Sequence, residues 1–163
     1  IMATALTHLD SFGQSIEREA VGLRFGLVVS KWNSEITEAL YQGCFKTLVG
    51  AGARVEDITR VSVPGSFELI YACNYLASTK KFDAIIAIGS VIQGETKHFD
   101  FVCEAVAQGI KDINLKNEAP VIFCVLTDNT WEQSKARSGG KHGNKGVEAA
   151  AAAIEMTYLK KSI

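Results

Sequence analysis

The sequence predicts an α/β three-layer sandwich with a central four-stranded parallel sheet and helices on both faces. Four short apolar runs rich in β-branched residues alternate with segments whose apolar residues recur at helical spacing. Because the runs are apolar along their whole length, they indicate parallel strands that are buried on both faces and joined by right-handed crossovers. With 163 residues, 47% of them hydrophobic, we expect one domain at 15–163 after a flexible segment at 1–14.

The ends of these elements carry recognisable signals. The strand predicted at 23–30 is followed by Asn33 and Ser34, which are good N-cap residues, and Gly50 and Gly52 can end the helix that follows. The other strands are predicted at 58–63, 82–90 and 120–127, and the helices at 34–49, 66–78, 98–117, 130–136 and 144–160.

The charge balance excludes several classes of partner. Lys and Arg number 17 against 18 Asp and Glu, a net charge of −1, so no overall basic field attracts nucleic acid or an anionic membrane. The first twenty residues lack the apolar region of a signal peptide, and no apolar run reaches the length of about 18 residues that a membrane span needs. We therefore expect neither a nucleic-acid nor a membrane partner.

Cysteine and histidine spacing gives no indication of a metal site. The cysteines lie far apart in apolar stretches, without CxxC pairs, and the histidines form neither HxH nor HExxH. We expect no metal, a reduced cytoplasmic protein, and thiols that serve as small buried apolar groups. The residues concerned are Cys44, Cys73, Cys103, Cys124, His8, His98 and His142.

Polar residues follow each of the four predicted strands, in the segments 31–33, 64–68, 91–98 and 128–129. In open parallel sheets, ligands bind outside the carboxyl ends of the strands. We therefore expect one site that collects residues from these loops.

The segment 93–98 leads into the third predicted helix, whose free N–H groups and positive dipole end suit an anion such as phosphate. Gly94 would let the backbone approach closely. Such residues also cap helices that bind nothing, and neither GxxxxGK[ST] nor GxGxxG accompanies them. Histidine is the side chain whose ordinary pKa lies closest to neutrality, so His98 can be a general acid or base, or simply a surface or capping histidine.

Three further features have both a functional and a structural interpretation. Trp32 can stack on a planar ligand or pack in the core or an interface. Glu68 can bind ligand hydroxyls or complement the dipole of the second helix. The segment 137–146 contains four glycines and three cationic side chains, so it can be a phosphate clamp or a flexible basic loop.

Several of these residues lie in runs that resemble the lumazine synthase family. The runs are VSVPGSFEL at 61–69, GSVIQGETKHFDFV at 89–102 and RSGGKHGNKG at 137–146, together with VVSKWN at 28–33. They occur in the family's order and spacing, and the resemblance covers about residues 15–160. It implies a flavodoxin-like sheet.

The resemblance implies a condensation without cofactor or metal, the penultimate step of riboflavin biosynthesis. In that step 5-amino-6-ribitylamino-2,4-pyrimidinedione and 3,4-dihydroxy-2-butanone 4-phosphate give 6,7-dimethyl-8-ribityllumazine. Relatives form pentamers, some of which assemble into shells of sixty chains, and the uninterrupted segment 140–144 resembles the shell-forming type. Riboflavin synthase is the protein partner that the resemblance implies.

The resemblance also implies roles for individual residues. His98 is the expected proton-transfer residue, and Arg137 is expected to bind phosphate in the site of an adjoining subunit, which also receives Phe123. Ile70 and Gln93 depart from the family, where Pro and Arg are frequent. The other residues expected to contact substrates are Trp32, Asn33, Ser66, Phe67, Glu68, Ser90, Val91, Ile92, Glu95, Thr96 and Lys145.

Two other functions are compatible with parts of this pattern. A non-catalytic flavin- or phosphate-binding module with a flavodoxin-like sheet would explain the apolar strands and Trp32, but not Arg137 and the glycine-rich segment. A purely structural shell protein descended from the enzyme would not need the intact residues Trp32, Glu68, His98 and Arg137.

Overall fold

The computed structural model describes residues 7–163, and its centre is a sheet of four parallel strands in the order β2-β1-β3-β4. The first strand lies between the second and the third, and its pairing with both begins at Phe25. The third strand also pairs with the fourth, and this pairing ends at Asp128. This order requires crossovers between the strands, as predicted for parallel pairing. The strands are β1 (Phe25–Ser30), β2 (Ile58–Val63), β3 (Ala84–Ile92) and β4 (Val121–Asp128).

Helices cover both faces of the sheet and confirm the three-layer sandwich. Buried residues of α2 and α6 pack on one face, and those of α3 and α4 pack on the other. The helices are α1 (Ser11–Gln14), α2 (Ser34–Gly50), α3 (Leu69–Ser78), α4 (His98–Lys116), α5 (Trp131–Arg137) and α6 (Lys145–Ser162).

Alternation along the central strands divides the core into two halves. In β3, Ile86 and Ile88 contact the α2–α6 side, whereas Ile85 and Ala87 contact the α3–α4 side. All four side chains are fully buried. Because the central strands are buried on both faces, their residues form continuous apolar runs in the sequence.

The strand β2 differs from the prediction of burial on both faces. Only Val63 is buried along it, while Thr59, Arg60 and Ser62 are exposed. β2 lies at an edge of the sheet with only β1 as a neighbouring strand, and the helices cover it much less than they cover β4, the other edge strand, which is mostly buried.

The segment after β2 and the glycine-rich segment after α5 also differ from the predictions. The helix expected from residue 66 begins at Leu69, because the backbone N–H groups of Leu69 and Ile70 donate to Ser66 and Phe67 and form turns first. The glycine-rich break contains two short antiparallel strands, β5 (Ser138–Gly140) and β6 (Gly143–Asn144).

The flexible segment predicted at 1–14 lies partly outside the described residues. Of the part that is described, Leu9 is 1% exposed and donates its backbone N–H to His142 O at 2.9 Å. Asp10 accepts from the backbone N–H of Asn144 at 2.8 Å. These contacts attach residues 9 and 10 to the loop before α6, and the domain boundary at residue 14 stays a prediction. Within residues 7–163 no helix has both the length and the apolarity needed to cross a membrane.

Candidate active site

A cavity of about 720 Å³ lies at the carboxyl end of the sheet, where the sequence predicts a site. The loops after β1, β2 and β3 and the first turn of α4 form its walls. Nine of the predicted site residues line it together: Trp32, Ser66, Phe67, Glu68, Ser90, Val91, Ile92, Thr96 and His98.

Backbone hydrogen bonds hold the first two loops side by side. Lys31 N donates to Val63 O at 2.8 Å, and Trp32 N donates to Pro64 O at 3.1 Å. These bonds extend the pairing of β1 and β2 beyond the strands. Trp32 lines the cavity and remains 72% exposed, so its ring is accessible to a planar ligand.

The loop before α3 places a carboxylate and a buried hydroxyl in the cavity wall. Glu68 Oε2 accepts a hydrogen bond from Gly65 N at 2.9 Å, which fixes the side chain at the start of the helix. Ser66 is 6% exposed, and its Oγ finds no hydrogen-bond partner among the described residues. A buried hydroxyl without a partner is unfavourable, so a ligand hydroxyl or carbonyl could satisfy it.

The first turn of α4 closes another side of the cavity. His98 is the first residue of this 19-residue helix, as predicted, and its side chain is exposed. Thr96 Oγ1 lies 3.4 Å from His98 N, where it can accept a hydrogen bond. The imidazole is thus placed where a ligand in the cavity can exchange protons with it and where the helix N-terminus favours an anion.

The cavity also has three apolar lining residues that the sequence did not predict. Phe99, Phe101 and Val102 line it together with the predicted polar residues. Phe101 is 68% exposed although it is a large apolar side chain. The available signal was the two phenylalanines within three residues of His98, which the start of α4 places in the same wall of the cavity.

Asn33 has a different role from the predicted N-cap. It is the N-cap residue of α2, but its backbone is left-handed, with φ 56°, and its side chain makes no cap hydrogen bond. Instead, Nδ2 donates to Ser90 O at 2.9 Å. Asn33 therefore joins the β1 loop to the end of β3, next to the cavity lining.

Three other predicted contact residues do not line the cavity of their own chain. Glu95 is exposed in the loop before α4. Phe123 is half-buried in β4 and packs against the core on the α3–α4 side. The Lys145 ammonium lies 2.7 Å from Glu148 Oε1 within α6.

Arg137 also lies outside the cavity lining, at the last position of α5. Its Nη1 donates to Gln133 O at 3.0 Å, and its Nε is 3.9 Å from Asp128 Oδ1. Asp128 Oδ2 in turn accepts a hydrogen bond from Ser134 Oγ at 2.8 Å. A cationic group is therefore held at the same edge of the sheet, but separately from the cavity.

The thiols lie in environments that disfavour the thiolate. Burial raises the pKa of Cys73 and of Cys124 to about 12, and it also raises the pKa of Cys44 well above its usual value. The pKa of the half-buried Cys103 is raised as well, chiefly by burial. Thiols in such environments are poor nucleophiles. Residues 7–163 contain no group of three or more His, Cys, Asp or Glu side chains arranged to hold a metal ion.

A parallel α/β sandwich with a cavity at the carboxyl edge of its sheet defines a flavodoxin-like α/β protein with a ligand site at that edge. Comparison with known proteins gives the family. The model of the 6,7-dimethyl-8-ribityllumazine synthase family matches residues 22–161, and the chain belongs to that family. The resemblance seen in the sequence is thereby confirmed.

Several proteins named 6,7-dimethyl-8-ribityllumazine synthase are similar to this chain over almost its whole length. The protein of Christiangramia forsetii is 58% identical, over 98% of this chain and 96% of its own. That of Flavobacterium johnsoniae is 55% identical, over 98% and 84%. That of Porphyromonas gingivalis is 46% identical, over 98% and 99%. These similarities favour an enzyme over the non-catalytic module.

Proposed function

We propose that this protein condenses 5-amino-6-ribitylamino-2,4-pyrimidinedione with 3,4-dihydroxy-2-butanone 4-phosphate. The product is 6,7-dimethyl-8-ribityllumazine, and phosphate and water are released. The observation that carries the proposal is the convergence of Trp32, Glu68 and His98 on one cavity in a member of this family. These residues offer a stacking surface, an acceptor for hydroxyl groups and a proton carrier.

The pyrimidine would lie between the Trp32 ring and the end of β3. Residues 90–92 line the cavity there, and backbone N–H and C=O groups of this segment would hydrogen bond to the edge of a heterocycle. The ring of Trp32 can cover the face of the pyrimidine. This placement uses one flat surface and one polar edge, which suits a planar substrate.

The ribityl chain would follow the loop at 65–68. Glu68 Oε2 is occupied by the backbone N–H of Gly65, while a carboxylate has several acceptor positions and can also accept from ligand hydroxyls. The buried Ser66 hydroxyl is a further partner for such a chain. Phe67, which is exposed and lines the cavity, would cover the carbon backbone of the chain.

The phosphate would bind at the start of α4. Thr96 lines the cavity there and supplies a hydroxyl, and the loop at 95–98 can supply backbone N–H groups. Since a carboxylate repels phosphate, we assign the contact at Glu95 to its backbone. A helix N-terminus stabilises the dianion both before and after elimination.

His98 would move the protons that the reaction requires. An amine condenses with a ketone through a carbinolamine, which loses water to give an imine, and each step transfers a proton. An imidazole titrates near pH 7 and can serve as acid and base in turn. Holding the two substrates together in one cavity would provide much of the remaining rate enhancement.

We propose that the complete site is shared between two subunits. Arg137 and Phe123 do not line the cavity of their own chain, which is what a contribution to an adjoining subunit requires. Exposed aromatic residues around the cavity, including Trp32, Phe67 and Phe101, suit burial against a second copy. Lys145, paired with Glu148 in α6, would approach the pyrimidine only in the assembly.

A head-to-tail contact of this kind closes into a ring, and we propose a pentamer that assembles further into a shell of sixty chains. Riboflavin synthase, which would consume the product, is the proposed protein partner. The isolated, unpaired thiols support a reducing compartment such as the cytoplasm. Native mass spectrometry tests the assembly, because a mass near five chains would contradict the shell, and an active monomer would contradict the shared site.

The reaction is tested by incubating the purified protein with both substrates and following the fluorescence of the lumazine product. We expect fluorescence that requires both substrates and increases with protein concentration above the spontaneous rate. Samples that lack either substrate are the controls. Substrate binding without product formation would support the non-catalytic module instead.

A further inference from the structure

Asp128 is a buried carboxylate beside the proposed site and does not line the cavity. The residue is 8% exposed, and a carboxylate in such a position is unfavourable unless it is paired. Its Oδ2 accepts from Ser134 Oγ at 2.8 Å, and its Oδ1 is 3.9 Å from Arg137 Nε. Both carboxylate oxygens thus interact with α5, the helix that ends at Arg137.

The backbone of Asp128 is fixed as firmly as its side chain. It is the last residue of β4, opposite Ile92 of β3, and its carbonyl accepts from Gln93 N at 2.9 Å. The Ser134 hydroxyl that binds its carboxylate lies within 3.5 Å of Ser90 Oγ. Asp128 is therefore a rigid point between the end of the sheet and α5.

Arg137 has a long side chain that needs such a fixed point. The side chain of a free arginine samples many rotamers, and ordering it lowers the affinity for an anion. Here Nη1 donates to Gln133 O at 3.0 Å while Nε faces Asp128, so Gln133 and Asp128 both contribute to the orientation of the guanidinium. Orientation in advance makes an arginine an effective binder of phosphate oxygens.

We infer that Asp128 is a positioning residue that orients the Arg137 guanidinium for the phosphate group of the substrate. The inference rests on the proposed role of Arg137 in the condensation. Asp128 acts through Arg137, and Ser134 fixes the carboxylate by hydrogen bonding to its second oxygen. The three residues form one unit at the end of β4 and in α5, and through it Arg137 would reach an adjoining subunit.

The variant Asp128→Asn tests this role, because it keeps the size of the side chain and removes its charge. We expect the KM for the phosphate substrate to rise about five- to tenfold, as for the loss of one partly buried ion pair, with kcat and the KM for the pyrimidine changed less than about twofold. The inhibition constant of inorganic phosphate should rise by the same factor. Asp57→Asn is the matched control. Asp57 Oδ2 lies 2.7 Å from Arg54 Nε, and neither residue lines the cavity.

A double-mutant cycle with Arg137→Ala separates positioning from general structure. If Asp128 acts through Arg137, Asp128→Asn should add no further increase in the KM for the phosphate substrate once Arg137 is absent. An equal increase in both backgrounds would overturn the inference. Circular dichroism of each variant shows whether the fold is retained.

Ser134→Ala serves as a second, smaller change if Asp128→Asn does not fold. It leaves the charge in place but frees Oδ2, so we expect a smaller rise in the same KM. If the wild type is active and the folded variants have an unchanged KM for the phosphate substrate, positioning by Asp128 is refuted and the proposed function stands. A wild type that forms no product would refute both.

Discussion

A Cβ atom added to Gly89 would lie 2.6 Å from Ser66 Oγ and 3.0 Å from Leu69 Cδ1. The absence of a side chain in β3 therefore leaves the space that the Ser66 hydroxyl occupies. This contact packs the loop before α3 directly on the end of β3. It fixes the distance between two walls of the cavity, those formed by the residues proposed to bind the ribityl chain and the heterocycle.

Gly89→Ala should therefore destabilise the protein and weaken substrate binding. We expect the free energy of unfolding to fall by about 1–3 kcal/mol, as is typical of overpacking, and the KM for the pyrimidine substrate to rise. Urea unfolding and steady-state kinetics measure the two effects. Adding Ser66→Ala should restore part of the stability, because the nearest remaining Ser66 atom is Cβ at 3.3 Å. No recovery would show that the Ser66 hydroxyl is not the source of the clash.

His98→Ala should lower kcat by about 10²-fold and leave both KM values nearly unchanged, because a proton-transfer group acts mainly in the transition state. Steady-state kinetics with product fluorescence measure this. His142→Ala, in the loop between β5 and β6, is the control and should keep the wild-type kcat. A wild-type kcat in His98→Ala would remove His98 from the mechanism.

Arg137→Ala should raise the KM for the phosphate substrate about tenfold or more, and far more than the KM for the pyrimidine. The reason is that a charge-assisted hydrogen bond to phosphate is lost, while the stacking surface and Glu68 remain. Arg54→Ala removes an exposed arginine of the Arg54–Asp57 pair and is the control. Equal increases in both KM values would indicate a structural role for Arg137.

Binding of the pyrimidine substrate should quench the fluorescence of Trp32. The ring is exposed and lines the cavity, whereas Trp131, at the start of α5, lies outside the lining and supplies the unchanged background. Titration of the wild type and of Trp32→Phe measures the difference. If the quench persists in full in Trp32→Phe, the proposed stacking on Trp32 is wrong.

Gly146→Ala should destabilise the contact between α2 and α6. A Cβ at this position would lie 2.0 Å from Leu40 O and 2.9 Å from Cys44 N, which are backbone atoms that cannot move alone. We expect a loss of about 3 kcal/mol in the free energy of unfolding. Gly50→Ala is the matched control, because a Cβ there meets nothing within 4 Å. A loss of less than about 0.5 kcal/mol for Gly146→Ala would show that the helices can separate at low cost.

Local patterns in the sequence were sufficient for the sheet and most of its helices. Uniformly apolar runs mark strands that are covered on both sides, and this holds for β1 and β3. It fails for β2, because the extent to which helices cover an edge strand is set by the packing of the whole domain and not by local sequence. The end of β2 was nevertheless predicted, since Pro64 has no backbone N–H to continue the pairing.

The candidate site was predictable where its residues lie on loops that follow strands. Trp32, Glu68 and His98 line one cavity as expected, because parallel strands bring their carboxyl ends to the same edge. Phe101 was not predicted, because an aromatic residue in the first turn of a helix is as compatible with a core position as with a position in a cavity wall. The roles proposed for Arg137 and Phe123 depend on a second subunit, which no pattern within one chain can describe.

The sequence by itself determined the fold class, the family and the edge of the sheet at which the candidate site lies, because periodicity and short motifs are local properties. The tertiary structure decided that Asn33 bonds to Ser90, that the Ser66 hydroxyl packs against Gly89, and that Asp128 faces Arg137. The Asn33 and Ser66 contacts join residues more than twenty positions apart. Asp128 faces Arg137 because the turn after β4 and the packing of α5 place the end of that helix next to the end of the strand. Such contacts depend on strand order and helix packing in the whole domain, because these decide which side chains become neighbours.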